Sequence, residues 1–426
     1  MKEIRIGLLG FGTVGAGVVK GLQENGELLA TRLGIRLVLH RIADLDLETD
    51  RGVRVDPALL TRDAAAVVAD PQVDVIVELI GGVGAAKELV LQALALGKPV
   101  VTANKHLLAK HGAELFSLAT RKRADLCFGA SVGGGIPVVR ALREGLIANR
   151  VQRIYGIVNG TCNYILTRME KEGLPFDRVL ADAQAEGYAE ADPAFDIDGI
   201  DSAHKAVILA TLAYGSPVPF DAASVEGIRG LAREDVAHAA ALGYRVKLLA
   251  MIRRDGGGLE VAVHPTLVPH AHLLSGVDGV FNGVVVEGDM TGTTLYYGRG
   301  AGSVPTAATI MADLADVARN LVLGCPLRVP ALCPTGETLT VKPSGEAVER
   351  FYVRFAPAGH PKALAGALGV LGRHGVGVAS ARQDDARADA VVLTQEAPVG
   401  RVDAALKELQ ESGVARPNPV RLRILG

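Results

Sequence analysis

Three groups of residues carry the chemistry legible in this sequence. The first is Gly10-Phe11-Gly12-Thr13-Val14-Gly15, a GxGxxG run set directly after the apolar stretch Ile4–Leu9 and before a helical stretch. There Gly10 permits a tight turn, Gly12 lets backbone approach a pyrophosphate with no Cβ in the way, and Gly15 lets helix and strand pack closely. The phosphates rest on the helix N-terminus. The second group is Val100-Val101-Thr102-Ala103-Asn104-Lys105, which places a lysine just past the carboxyl end of a strand, where open α/β sheets bind ligands. The third begins at Gly187-Tyr188-Ala189-Glu190-Ala191-Asp192-Pro193 and runs through Asp196, Asp198 and Asp201 to His204-Lys205. Asp201 and Lys205 are four apart and share a helix face. The spacing reads either as an i,i+4 ion pair or as a carboxylate pocket for an ammonium group, beside a lysine that donates a proton to a carbonyl oxygen. A calcium loop fails, because Ile200 and Asp201 stand where an EF-hand needs a ligand and then a glycine.

A further carboxylate, Asp44, closes the second apolar run, RLVLHRIAD. At that place a carboxylate hydrogen-bonds a ribose 2′-hydroxyl and disfavours a 2′-phosphate, which points to NAD. Arg41, Arg51 and Arg54 lie close by and can take a phosphate instead, so NAD and NADP both stand.

These residues need positioning elements, and the apolar pattern supplies them. Strands are expected at Ile4–Leu9, Arg36–Ala43, Val73–Leu79 and Pro99–Thr102, with helices at Ala16–Leu29 and Ala85–Leu96. Such alternation implies a parallel sheet with helices on both faces. From 133 to 300 the pattern is mixed, with helices near 137–147, 177–186 and 200–213 and strands near 151–158, 247–252 and 259–264. Ala307–Leu323 is a strongly apolar helix, and Thr335–Arg350 reads as a polar linker. Residues 351–426 read strand, helix, strand, strand, helix, strand, a ferredoxin-like unit. The fold class is thus α/β, in three parts: a Rossmann-type dinucleotide-binding domain over 1–132, completed by about 305–335; an α+β catalytic, substrate and dimerisation domain over 133–304; and a ferredoxin-like domain over 350–426.

Composition narrows the function. The chain has 426 residues, 45 basic and 47 acidic, for a net charge of -2. That balance argues against a nucleic-acid partner or a polybasic membrane surface. No apolar run approaches the roughly 18 residues of a membrane span. Cys127, Cys162, Cys325 and Cys333 are scattered, with no CxxC pair, the pattern of a cytoplasmic protein.

Several stretches together resemble the homoserine dehydrogenase family, over nearly the whole chain: GLLGFGTVG, ELIGG (78–82), VVTANK (100–105), SVGGGIP (131–137), GIVNGTCNYIL (156–166), GYAEADPAFDIDGIDSAHK (187–205) and GRGAGSVPTA (298–307). The resemblance implies reversible NAD(P)-dependent interconversion of L-homoserine and L-aspartate 4-semialdehyde, in threonine, methionine and isoleucine biosynthesis. By position Lys205 and Lys105 match the family's catalytic lysines, with Lys205 the acid that protonates the carbonyl oxygen. Glu190, Asp196 and Asp201 match residues that hold the substrate. Gly10, Phe11, Gly12, Thr13, Val14, Gly15, Asp44, Ile80, Gly81, Lys105 and Gly302 match the cofactor site. The family also implies a monovalent cation, sodium or potassium, on backbone oxygens at Val132, Gly134 and Ile136, although Gly129 stands where a glutamate is usual. The tail looks like an ACT domain with a threonine effector, its usual Asp-x-Pro-Gly turn replaced by Ala358-Gly359-His360-Pro361-Lys362. The resemblance is to the monofunctional form, acting on a small-molecule substrate as a homodimer or higher homo-oligomer.

Two other readings are weighed. Aspartate-semialdehyde dehydrogenase chemistry on the same scaffold needs an activated cysteine, for which Cys162 after the NGT turn is the candidate. A non-catalytic dinucleotide- and amino-acid-binding sensor would be favoured by loss of either lysine, and both are present.

Overall fold

The computed structural model describes residues 1–255, 258–334, 336, 339–356, 363–384, 389–413, 415 and 419–426. They group into two compact units: Met1–Gln152 with His204–Phe220 and Phe281–Thr338, and Arg153–Ala203 with Asp221–Val280 and Leu339–Gly426. The replaced ACT turn at 358–362 lies outside the described residues.

In the first unit β1 (Lys2–Leu9), α1 (Thr13–Leu33), β2 (Ile35–Ala43), β3 (Leu60–Thr61), α2 (Ala64–Ala69), β4 (Val75–Glu78), α3 (Gly84–Ala95), β5 (Val100–Thr102), α4 (Lys105–Lys122) and β6 (Leu126–Cys127) alternate along the chain. The sheet is parallel throughout, in the order β3-β2-β1-β4-β5-β6. This is the doubly wound dinucleotide-binding order, whose ligand crevice opens where the order reverses, between β1 and β4. From Ile6 to Leu9 every residue of β1 is buried, as helices on both faces require. Helix α1 stops at Gly34, whose left-handed backbone lets its N–H reach the Ala30 carbonyl at 2.9 Å. The helix Ser303–Leu323 packs on α1, adding Ile310, Leu314 and Val317 to a core with Val18 and Val19. Each such side chain stabilises by about 1.5–3 kcal/mol.

In the second unit, strands Tyr244–Asp255 and Gly258–Pro269 pair antiparallel along their full length, and Arg153–Gly156 pair with Arg253–Ala250. The C-terminal module has the strand order Val420–Ile424, Val348–Phe355, Asp389–Thr394, Val378–Asp384. Relative to chain order this is fourth, first, third, second, the ferredoxin-like arrangement expected from the sequence. The module also continues its neighbour's sheet, because Arg423 and Ile424 pair in parallel with Thr266 and Leu267.

Some elements differ from the sequence reading. The helix expected over 137–147 is broken into Val138–Arg140 and a wider turn at Ala141–Gly145. The stretch read as a linker contains Thr340–Val341, which pairs with Gly258 and Leu259. A hairpin of Phe281–Gly288 and Gly292–Arg299 went unread, since its glycines interrupt the alternation that marks a strand. Among the described residues no helix is long and apolar enough to cross a membrane.

Candidate active site

The glycine loop behaves as its spacing requires. Gly10 has φ +97°, and a Cβ there would lie 2.6 Å from the Leu79 carbonyl. A Cβ on Gly15 would lie 2.2 Å from the Gly10 oxygen, so helix and strand meet at backbone distance. Gly12, the N-cap of α1, has only open space where its Cβ would stand and no side chain capping the helix. The first-turn amides at Thr13, Val14 and Gly15 therefore face a cradle that fits a pyrophosphate. Gly302 (φ +116°) caps the helix Ser303–Leu323, and the Ser303 hydroxyl donates to the Thr13 carbonyl at 2.7 Å, which brings that turn to the loop. Asp44 accepts from the Phe11 amide at 2.5 Å and from the Asp46 amide at 2.9 Å. Two of the nearby arginines are committed elsewhere, Arg41 to the Ala58 carbonyl and Arg51 to Asp46. Ile80 is 43% exposed after β4, where a buried apolar residue would be the rule, and Gly81 beside it has φ +80°.

One residue of this half escaped the sequence reading. Glu78, wholly buried at the end of β4, accepts from the Ile80 and Gly81 amides at 2.9 and 3.1 Å and from the Thr102 hydroxyl at 2.6 Å. Thr102 in turn accepts from the Asn104 amide at 2.9 Å, and Asn104 donates to the Gly82 carbonyl at 2.8 Å. The side-chain oxygen of Asn104 caps α4 through Leu107 N–H, which fixes the turn that carries Lys105. The available signal was a glutamate ending the apolar run VDVIVEL. Glu78→Ala orphans three donors at once, and about 1–3 kcal/mol of stability is expected to go with each. Denaturant unfolding and NAD titration check this; unchanged stability and affinity would remove Glu78 from the site.

Lys105 opens α4, where a cation works against the helix dipole, so its placement serves something other than helix stability. Lys205 is buried on the helix Ile200–Tyr214, which begins in the second unit and continues in the first. Within the first unit the residues beside the two lysines touch, with the His106 and His204 ring centroids 4.7 Å apart.

The acidic half lies in the second unit. Asp196 and Asp201 are drawn together by Asn159, whose side-chain NH₂ donates to both, at 2.7 and 2.9 Å. Asn159 also caps the helix Gly160–Glu172 by accepting from Cys162 N–H at 2.8 Å, so its orientation is fixed. It too was unread as a site residue, although it sits in the GIVNGTC stretch. Asp201 occupies the first turn of its helix, where the dipole favours a carboxylate. Glu190 is not drawn into this pair; its side chain is exposed. Asp198 is held by Arg229, whose hydrogen bonds lower its pKa, and Asp192 caps Ala194. A second buried lysine, Lys247, is tied to the Val277 carbonyl, Asn163 and Asp278, and burial lowers its pKa.

The turn at Val132, Gly134 and Ile136 is buried at Val132 and Ile136. The Gly134 carbonyl accepts from the Thr309 hydroxyl at 2.7 Å and the Ile136 carbonyl from Val138 N–H at 2.8 Å. A carbonyl oxygen has two lone pairs, so one hydrogen bond leaves each of these able to face a cation, and no step below uses one. Among the described residues no group of three or more His, Cys, Asp or Glu could hold a metal. Beside this turn Gly129 N–H donates to Asp313 at 2.8 Å, and a Cβ at Gly129 would lie 3.0 Å from the other Asp313 oxygen. Burial pushes the Asp313 carboxyl up to about 6 from 3.8. Its folded form thus holds a proton more tightly than its unfolded form, so the stability it contributes is full below about pH 4 and falls as pH rises through 6. Asp313→Asn is expected to stabilise the chain above that range by on the order of 2–3 kcal/mol, and not at pH 4. Unfolding at the two pH values is the check.

Neither cysteine near these elements is set up as a nucleophile. Burial pushes the Cys127 thiol up to about 12, and the buried Cys162 Sγ lies against the Asp196 carbonyl at 3.2 Å.

Known proteins share this sequence and fold. A family described as "Homoserine dehydrogenase, NAD binding domain" matches residues 10–129, and one described as "Homoserine dehydrogenase" matches 137–315. The homoserine dehydrogenase of Neisseria gonorrhoeae is 43% identical, with 96% of each chain covered. A crystal structure of a homoserine dehydrogenase from Thiobacillus denitrificans is 44% identical, covers 100% of this chain and 99% of that one, and superposes with a TM-score of 0.93. A hyperthermophilic archaeal homoserine dehydrogenase in complex with NADPH is 27% identical, covers 74% of this chain and 97% of that one, and has a TM-score of 0.63. With sequence and fold matched over the full length, this chain belongs to the homoserine dehydrogenase family of NAD(P)-dependent oxidoreductases.

Proposed function

We propose that this chain interconverts L-homoserine and L-aspartate 4-semialdehyde with Lys205 as the acid–base residue and the Asp196–Asn159–Asp201 cluster as the seat of the substrate's ammonium group. The observation that carries this is the pair of carboxylates held by one asparagine, with Asp201 one helical turn before Lys205. The bound nicotinamide supplies or accepts the hydride at the reacting carbon. The chain's residues do the rest. The α1 amides and Gly302 hold the phosphates, Asp44 the ribose, and Ile80 and Gly81 the dinucleotide beyond it. Lys205 holds the proton at the carbonyl oxygen as it becomes a hydroxyl, and Lys105 adds positive charge where oxygen charge develops. Glu190 closes over the substrate from its exposed loop.

NAD is the proposed cofactor over NADP, because Asp44 is pinned at the end of β2 while Arg41 and Arg51 are held elsewhere. Turnover of homoserine with each cofactor, followed by nicotinamide absorbance, tests both statements. NAD-dependent turnover is expected, with Asp44→Asn narrowing its advantage about tenfold, the scale of ~1.4 kcal/mol. No homoserine-dependent turnover with either cofactor would sink the reading.

The ferredoxin-like tail is proposed to be an ACT module with threonine as its effector, on the strength of its strand order. A homodimer is proposed because the outer hairpin strand Gly292–Arg299 leaves Leu295 and Tyr297 exposed. A cytoplasmic setting agrees with four separate free thiols.

A further inference from the structure

Each lysine of the proposed mechanism is flanked by a histidine, Lys105 by His106 and Lys205 by His204. In the first unit the two imidazoles meet at 4.7 Å between centroids, tilted by 49°. His204 also stacks on Phe220, centroids 4.4 Å apart and planes 18° from parallel. Three rings thereby join the first turn of α4 to the helix Ile200–Tyr214, distant from it in sequence, and to Phe220 just beyond that helix. His204 is 1% exposed, so its ring is packed on all sides. Burial first, then the neighbouring Lys110, His111 and Lys105, holds the His106 pKa below its ordinary value. This suits an uncharged His106, since its imidazolium would be repelled by the neighbouring ammonium groups.

A lysine head sits at the end of a flexible four-carbon stem, so its precision depends on the backbone that carries it. The turn of Lys105 is anchored to the parallel sheet through Asn104 and Gly82. The helix of Lys205 is not a crossover helix of that sheet, and the His106–His204 contact joins it to the Lys105 turn. We propose that His106, His204 and Phe220 form a positioning stack that sets the two lysines relative to each other, and that neither histidine takes a proton in the reaction. This rests on the assignment of Lys205 and Lys105 above. Aromatic rings suit the task because tilted and stacked contacts are directional and the side chains have only two rotatable bonds.

The test compares wild type with His106→Ala, His204→Ala, His204→Phe, the double alanine variant and Lys205→Ala, measuring kcat and KM for homoserine and the dissociation constant of NAD. Removing either ring is expected to lower kcat on the order of 10- to 100-fold, the scale of a misplacement near 1 Å. KM and NAD binding are expected to stay within about 3-fold, the pattern of a loss confined to the chemical step. The double variant is expected to be no worse than the slower single one, because the His106–His204 contact is already lost in each. His204→Phe, which keeps a ring in place, is expected to return kcat to within about 3-fold of wild type. His106→Ala, at a partly exposed position, carries the test if His204→Ala does not fold. Wild-type kcat in His106→Ala overturns the proposal, as does a His204→Phe enzyme as slow as His204→Ala. Full activity in Lys205→Ala overturns the lysine assignment instead; an inactive Lys205→Ala beside an unimpaired His106→Ala overturns the stack alone.

Discussion

Lys205→Ala is expected to lower kcat for homoserine oxidation by about 10²-fold or more, the contribution of a positioned acid–base group. KM for homoserine is expected to change little, because the ammonium is assigned to Asp196 and Asp201, which Asn159 holds together. Burial gives the position its weight: Lys205 is 7% exposed, so water has little room to replace it as proton donor. Lys205→Arg is not expected to rescue, since a guanidinium keeps its proton across the working pH range. Steady-state kinetics on a variant that still binds NAD reads both quantities. A kcat within a few-fold of wild type would remove Lys205 from the chemistry and return the pattern at Asp201 and Lys205 to the simple ion pair that its spacing also allows.

The largest loss of stability is expected from Asp235→Ala, about 3–5 kcal/mol, as for breaking a buried charge pair on one side. Asp235 is wholly buried on the helix Arg233–Ala241, in the second unit. Its oxygens accept from the Tyr352 hydroxyl at 3.0 Å and from two nitrogens of Arg354 at 2.6 and 2.9 Å, and Arg354 reaches Asp389 at 3.4 Å. Alanine leaves a desolvated guanidinium without its bidentate partner. Arginine keeps its proton even without a carboxylate partner, so the charge remains after Asp235 is lost. Asp235→Leu with Arg354→Met is expected to recover much of the loss, because both charges then go together. Denaturant unfolding with an unchanged slope is the measurement. A single-variant loss under about 1 kcal/mol would show that this joint contributes little. The same joint, with Arg421 and Arg423 on Glu226, ties the C-terminal module to the strands before it, so the module is built in rather than appended.

The sequence by itself determined the parallel sheet and its glycine loop, since both rest on short-range rules. Continuous apolar runs make strands buried on two faces, and the GxGxxG spacing dictates one turn with close backbone approach. It also determined that Asp201 and Lys205 share a helix, because spacing of four is a local property. The ferredoxin-like order of the tail was legible for the same reason. What only the tertiary structure decided were the partners. Nothing local says that Asn159 holds Asp196 and Asp201 together, 37 and 42 residues away, or that Glu78 reaches Thr102 at a separation of 24. A side chain's hydrogen-bond partner across such distances is set by how elements pack, not by its neighbours in the chain. The same holds for Asp313, which brings a carboxylate to Gly129 across 184 residues, where the sequence showed only a missing glutamate. It also explains the stretch read as a linker: Thr340 and Val341 lie in a polar stretch broken by Gly and Pro, and they become strand because Gly258–Pro269 offers them an edge.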